Sequence, residues 1–282
     1  MKPFNLEVNQ FGTAEEIQSH IRNALSLGLP EFSPALCSHD GTFVVVGSGP
    51  SLLSTWEGLK EERAKGRPIC SIKGTHNFLI ERGLNPDLWL TIDPRPRLDQ
   101  LNLKSDQTIY LVSSRCHPEI FERLKDDKVI LWHSYAEQDK ADAIFEEVEQ
   151  KNGKAGIFAM GGGTTSGIRC IYLAFAMGFR NFVLYGMDSS LGKDGTTKRF
   201  NGDKSGKIVE IKVGSFKKDD EGNETEEYDA KSRTYLANTA MAQQAKDFQR
   251  MYEELPGIHI EAKGDGLIPA IIEKRKQMGL PS

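Results

Sequence analysis

Cysteine is scarce in this chain: Cys37, Cys70, Cys116 and Cys170 lie far apart in 282 residues and show no CxxC spacing. That scarcity argues against a disulfide framework or a zinc site, so scattered buried thiols in a reducing compartment are expected. Long apolar runs are missing too. None reaches the ~18–20 residues that span a bilayer, and no signal-type apolar core follows the first seven residues. A soluble, cytoplasmic protein with no membrane partner is therefore expected. Nor is positive charge in excess. A formal net charge of -4 gives no global field to draw the chain onto nucleic acid non-specifically. Internal repeats and low-complexity linkers are likewise absent. What is present, 38% hydrophobic and 27% charged residues, suits one large domain, or one domain with appendages, and a core that needs no crosslinks.

Residues 1–40 read as a helical appendage. Thr13-Ala14-Glu15-Glu16 has capping-box spacing, Ile17, Ile21 and Leu25 recur at helical intervals, and Pro30 and Pro34 stop the helix. From residue 41 the pattern changes. Short apolar runs without polar alternation, the mark of strands buried on both faces, occur at 42–46, 69–72, 88–92, 109–112, 129–132 and 182–185. Helix-like stretches separate most of them, at 52–65, 118–125 and 141–151. This alternation predicts a Rossmann-like, doubly wound, mainly parallel α/β domain over residues 41–282. One insertion breaks it. About 205–236 reads as a charged β-hairpin that projects from the sheet, with Val209, Ile211 and Val213 alternating and a turn at 220–223. A helix over 239–255, a strand near 258–261 and a helix from Leu267 close the chain.

In a parallel sheet, ligands collect beyond the carboxyl ends of the strands. Gly47-Ser48-Gly49-Pro50-Ser51-Leu52 stands there, after the first strongly apolar strand and before a helix. Glycines let the backbone approach an anion, and a helix start supplies free N–H groups and positive dipole. Ser48 and Ser51 add hydroxyls, Pro50 suits a first helical turn, and Ser54 to Glu57 has capping-box spacing. The turn lacks the GK[ST] of a Walker loop and the third glycine of the dinucleotide fingerprint. A tight strand-to-helix connection without ligand is the plainer alternative. Lys73-Gly74-Thr75-His76-Asn77 follows the next strand. Gly161-Gly162-Gly163-Thr164-Thr165-Ser166-Gly167 opens a helix over 168–177, as a second anion-ready start or as room for close helix–sheet packing.

Two acids occupy strand ends: Asp93, before Pro94, and Asp188, after the 182–185 run. Each suits a ribose contact or a general base, and together they suit Mg²⁺; a cap or loop hydrogen bond is the plainer role. Arg95 and Arg97 are phosphate candidates. Arg199 lies in a polar loop at 198–204 that either closes over a donor phosphate or is ordinary solvated chain. His76 and His117 begin helices near strand ends and His133 follows a strand; each is a base or a structural residue. Gly264-Asp265-Gly266 resembles a further turn beside the site.

The segments GSGPSL, KGTHNFLIERGLNPDLWLTIDP and GGGTTSGIRCIYLAFAMGFRNFVLYGMDSS, in that order over roughly residues 43–190, resemble the MptE-like superfamily. That group takes in archaeal 6-hydroxymethylpterin diphosphokinases, the bacterial Maf proteins that glycosylate flagellin with nonulosonic acids, and phage-encoded relatives. The resemblance implies a nucleotide-phosphate turn at Gly47, Gly49, Pro50 and Ser51, and nucleotide contacts around Gly74 and Asn77; Ser48 and Thr75, in the same two turns, are donor-binding candidates beside them. It also matches Gly161, Gly162, Gly163 and Thr164 to a glycine-rich helix start, and Asp93 and Asp188 to acids after their strands. A nucleotide or nucleotide-sugar donor is implied, CMP-type ahead of ATP. Thr91-Ile92-Asp93-Pro94 is nearer the Maf pattern than the acid-richer pterin kinase pattern, and without Maf-type flanking domains the acceptor stays open.

The leading expectation is a glycosyltransferase. The glycine turns hold the leaving nucleotide, Arg95 or Arg199 neutralises its phosphate, and Asp93, Asp188 or His117 deprotonates the acceptor hydroxyl. The alternative is ATP-dependent diphosphoryl transfer to a small hydroxymethyl substrate, with Asp93 and Asp188 holding Mg²⁺. The third is a non-catalytic nucleotide-binding or phage assembly protein. A homo-oligomer is compatible with the hairpin acting as a dimer arm.

Overall fold

The computed structural model describes residues 11–135, 141–152, 156–192, 208–218, 221, 224–228 and 232–281. Its main sheet is built from β1 (His39–Val46), β2 (Ile69–Ile72), β3 (Leu88–Thr91), β4 (Ile109–Ser113), β5 (Val129–Ser134), β6 (Ala159–Met160), β7 (Phe179–Tyr185) and β12 (His259–Lys263). Their order is β12-β7-β1-β2-β3-β4-β5-β6, and every neighbouring pair is parallel. The predicted parallel α/β sheet is therefore present. Two-residue β6 was not anticipated, since so short a segment carries no readable period.

Successive residues of each strand feed opposite cores. Phe43, Val45, Cys70, Ile72, Leu90, Leu111 and Trp132 pack with α7 (Ser166–Ala176), α8 (Thr239–Glu254) and α9 (Leu267–Gln277). Val44, Val46 and Ile69 face the other way, onto α2 (Leu52–Thr55), α3 (Gly58–Ala64) and α4 (Thr75–Ile80). Trp89, Tyr110 and Val112 continue that second face against α5 (Pro118–Arg123). Burial on both sides explains the unbroken apolar runs.

Helix α1 (Ala14–Ser26) begins with the anticipated capping box. The Glu16 amide donates to Thr13 Oγ1 at 3.2 Å, and the Thr13 amide donates to Glu16 Oε2 at 2.9 Å. Ile17 and Ile21 pack with Ala141, Ile144 and Phe145 around α6 (Asp142–Asn152), and Ala24 reaches the core beside Trp89. Glu31 then bridges Leu131 of β5.

Three expectations need correction. The helix foreseen over 52–65 is two, α2 and α3, and no capping box forms at Ser54, which already sits inside the first turn and donates to the Ser51 carbonyl at 3.0 Å. The hairpin does not simply project. Its base, β8 (Ile208–Val213) paired antiparallel with β11 (Arg233–Asn238), packs Ile211 and Val213 onto the α8–α9 core, because alternation gives it an apolar face to bury. Leu191 N–H donates to Leu236 O at 2.7 Å, and Arg233 pairs with Glu273 of α9. Beyond this base, β9 (Phe216–Lys218) pairs with β10 (Glu224–Tyr228); of the expected turn at 220–223 only Glu221 lies within the described residues. Finally, Cys37 is exposed in the loop before β1, whereas Cys70, Cys116 and Cys170 are buried and free. Among the described residues no helix is long and apolar enough to cross a membrane.

Candidate functional site

The chain runs outward from β1 to β6, then returns through α7 to β7 on the other side of β1. Loops leaving β1 and β7 therefore run towards opposite faces of the sheet, and this reversal lies at its carboxyl edge. Several segments meet there. Gly47 N–H donates to Tyr185 O at 2.8 Å and Gly49 N–H to Gly186 O at 2.7 Å. Asp188 accepts the Ser51 amide at 2.8 Å and the Ser51 hydroxyl at 2.6 Å. The Gly264–Gly266 loop closes on the same point, since a Cβ on Gly264 would lie 2.3 Å from Ser51 Oγ. Met187 ties in the start of α7: Cβ atoms on Gly47 and Gly167 would stand 2.8 and 2.7 Å from its sulfur. Residues 47–51, 161–167 and 188 thus share one end of the sheet.

The glycines there are needed by the chain's own packing. A Cβ on Gly49 would sit 2.2 Å from Asp188 Oδ2, and one on Gly47 2.6 Å from Gly186 O. Gly162 and Gly163 hold φ of 88° and 67°, with the Tyr172 ring and Ile168 filling the space a side chain would need. Gly161 alone of the three opens onto free space. The expectation of bare amides at both glycine-rich starts is corrected by two carboxylates. Asp188 takes Ser51, and Asp247 of α8 takes the Thr164 amide at 2.9 Å and its hydroxyl at 2.7 Å. Amides buried at such turns require acceptors, and the chain supplies them. The four residues of α2 also give little macrodipole. Half-buried Ser48 and Pro50 remain at the rim, and Ser48 has no hydrogen-bond partner among the described residues.

Asp93 lies two strands from β1, bonded to Lys73 Nζ at 2.9 Å and to Arg95 Nε and Nη2 at 2.8 Å each. Burial alone would raise its proton affinity, but Arg95 and Lys73 outweigh that and hold the carboxyl well below the usual range. Asp188 goes the other way. Burial pushes it above the ordinary carboxylate value, and the Ser51 hydrogen bonds only partly offset this. Strands β1 and β2 separate the two acids, three strand spacings or about 14 Å, so they do not share one Mg²⁺ ion. Among the described residues no cluster of three or more His, Cys, Asp or Glu is placed to hold a metal.

The remaining candidates take structural positions. His117 caps α5 through Nδ1, which accepts the Glu119 amide at 3.3 Å, and it lies beyond β4, away from the reversal of strand order. His76 is fully buried among Trp89 and Tyr110, and burial lowers its pKa to about 4. His133 is buried against Phe145 and Glu31. Thr75 is buried; Asn77 pins the 98–103 segment by donating to Asp99 O and accepting from Leu103 N, each at 3.0 Å. Gly74 faces Gln100, and Arg97 pairs with exposed Asp99. Arg199 and the 198–204 loop lie outside the described residues.

Three residues of the site escaped the sequence reading. Lys73 carries no sequence signal beyond its place in a turn. Asp247 left a signal, an acid four residues before buried Met251 on the apolar side of α8. Buried Arg169 donates to the carbonyls of Met160, Gly163 and Tyr135 and so fixes the glycine-rich start.

An all-parallel open sheet with glycine turns, an acid and a helix start gathered at its reversal defines a Rossmann-like α/β protein. A family model described as "6-hydroxymethylpterin diphosphokinase MptE-like" matches residues 18–194, and the chain belongs to that family. Membership supports a transferase-type activity. A solved structure of the Maf glycosyltransferase from Magnetospirillum magneticum AMB-1 is similar in fold, with TM-score 0.61 at 14% identity over 91% of this chain. The match spans 38% of that longer chain. No curated protein matches the sequence.

Proposed function

We propose that the protein is a transferase that binds a nucleotide-activated donor between the loops after β1 and β7 and passes its glycosyl group to an acceptor hydroxyl. The observation carrying this reading is the meeting of Ser48–Ser51, Asp188 and the start of α7 at the reversal of strand order, where open α/β sheets take their ligands. Ser48, with polar groups unspent, and open Gly161 are the contacts for donor phosphate oxygens. Asp188 is the best placed of the three candidate bases. Its burial raises proton affinity, whereas two cations suppress that of Asp93 and His117 is committed to a cap. The Ser51 hydroxyl, 2.6 Å from Asp188, relays the proton. As the acceptor oxygen bonds to the anomeric carbon, its proton passes to the Asp188 carboxylate and the bonding pair of the cleaved bond leaves on the nucleotide phosphate.

Thermal unfolding with CMP, CDP, UDP, GDP and ATP, each with and without Mg²⁺, tests donor binding. A cytidine nucleotide should stabilise the protein without metal, by roughly 2.7 kcal/mol at a hundred times its dissociation constant. Asp188→Asn should keep that stabilisation while abolishing turnover of the matching nucleotide sugar. Stabilisation by ATP with Mg²⁺ alone would favour diphosphoryl transfer, and no response to any nucleotide would overturn the donor site.

A further inference from the structure

The ends of β2 and β3 carry an arrangement that the donor site does not use. Asp93 accepts four hydrogen bonds there, three from the side chains of Lys73 and Arg95 and one from the Arg95 amide at 3.2 Å. Its lone pairs are spent, which leaves nothing for a metal or substrate. Its side chain is 3% exposed, while those of Lys73 and Arg95 are 30% and 37% exposed. Two cations against one acid leave a positive charge uncompensated at a solvent-facing rim. Donors remain as well. Two of the three Lys73 ammonium hydrogens and Arg95 Nη1 have no partner among the described residues.

The two cations are also held in place. The Phe11 ring lies 3.7 Å from the Arg95 guanidinium carbon, covering one face and leaving the in-plane N–H groups open. Lys73 adopts φ 51°, a conformation costly for a residue with a Cβ. Neighbouring β3 enforces it: the Lys73 amide donates to Leu90 O at 3.1 Å, and Trp89 Nε1–H donates to Lys73 O at 2.9 Å. Local strain retained to aim a cation is the kind of outlier from which a role can be inferred.

We propose that Lys73 and Arg95, oriented by Asp93, form an oxyanion subsite that receives a phosphate or carboxylate group of the acceptor. From β1 to β3 is two strand spacings, roughly 10 Å, so the subsite lies one small molecule's length from the donor site. Only the assignment to an acceptor rests on the donor reading; affinity for the anion is independent of it.

The full chain titrated with inorganic pyrophosphate and with citrate, against sodium chloride at matched ionic strength, gives the test through the unfolding midpoint. One or both anions should raise the midpoint, and the preference separates phosphate from carboxylate. Lys73→Met and Arg95→Met should each weaken the effective anion at least about tenfold, Lys73→Arg less than about threefold, and Lys60→Met, whose ammonium lies over the Trp56 ring, not at all. Should Lys73→Met fail to fold, Arg95→Lys decides, since it keeps the charge but loses the planar fork and should bind more weakly. Equal affinity across these variants overturns the proposal, as does indifference of the wild type to both anions. A nucleotide-induced shift that survives in Lys73→Met keeps the two sites separate, and its loss there overturns a separate subsite. If no nucleotide acts on the wild type but the anion effect maps to Lys73 and Arg95, the donor reading falls and the subsite stands.

Discussion

Asp93 and Asp188 look alike in the sequence, each an acid just past an apolar strand, yet their surroundings give them opposite behaviour. Asp93 has a depressed folded-state pKa, so its contribution is fully present above the unfolded value near 4 and is lost as pH falls below it. Asp93→Asn leaves Lys73 and Arg95 short of their partner and should cost about 2–3 kcal/mol at pH 7 by urea denaturation, with a shallower loss of stability below pH ~4. Asp188 has a raised pKa, so keeping it ionised costs stability at neutral pH, and that cost fades as pH falls through its raised value. An asparagine there still accepts the Ser51 amide and donates to its hydroxyl. Asp188→Asn should therefore stay within about 1 kcal/mol of wild type. Similar losses in the two variants would contradict this assignment. The acids themselves were legible as candidates. Their difference was not, because Lys73 reaches Asp93 only after β2 and β3 pair.

At the level of elements, the glycine-rich connections separate into those shaped by packing and one with room to spare. Gly49→Ala drives a methyl group into Asp188 and the Gly186 carbonyl, between the loops of β1 and β7, and should cost about 2 kcal/mol or more. Gly161→Ala meets nothing within 4 Å and should stay within about 0.5 kcal/mol in stability. If Gly161 meets the donor, the same substitution should weaken nucleotide binding despite its neutral stability. Equal unfolding midpoints for the two variants would contradict this packing. The turns could be found from sequence because glycine after an apolar run is distinctive. Their reason could not, since the atoms that exclude a Cβ at Gly47 and Gly49 come from residues about 140 positions away.

For the molecule as a whole, histidines held neutral by burial shape stability between pH ~6.5 and 4. His76 is the most shifted, to about 4, and burial lowers His133 and His20 as well. Each remains neutral in the folded chain at pH values where the unfolded chain binds a proton. The histidine contribution is thus fully present above pH ~6.5 and falls as pH drops towards 4, by up to roughly 3 kcal/mol from His76 alone. Denaturation at several pH values should show this slope, and His76→Leu should flatten it. A slope unchanged in that variant would assign the effect to other groups.

Periodicity and composition by themselves determined the alternating architecture, the capped first helix and the positions of the glycine turns and strand-end acids, because these follow from local sterics and from which faces must be buried. Tertiary structure alone decided that Asp188 and Asp247 fill the glycine-rich starts, that the hairpin docks on α8 and α9, and that Lys73 and Arg95 share one acid. Each of those facts depends on strand order. Order is fixed by which elements pack over which face of the sheet, and no local stretch of residues carries that information.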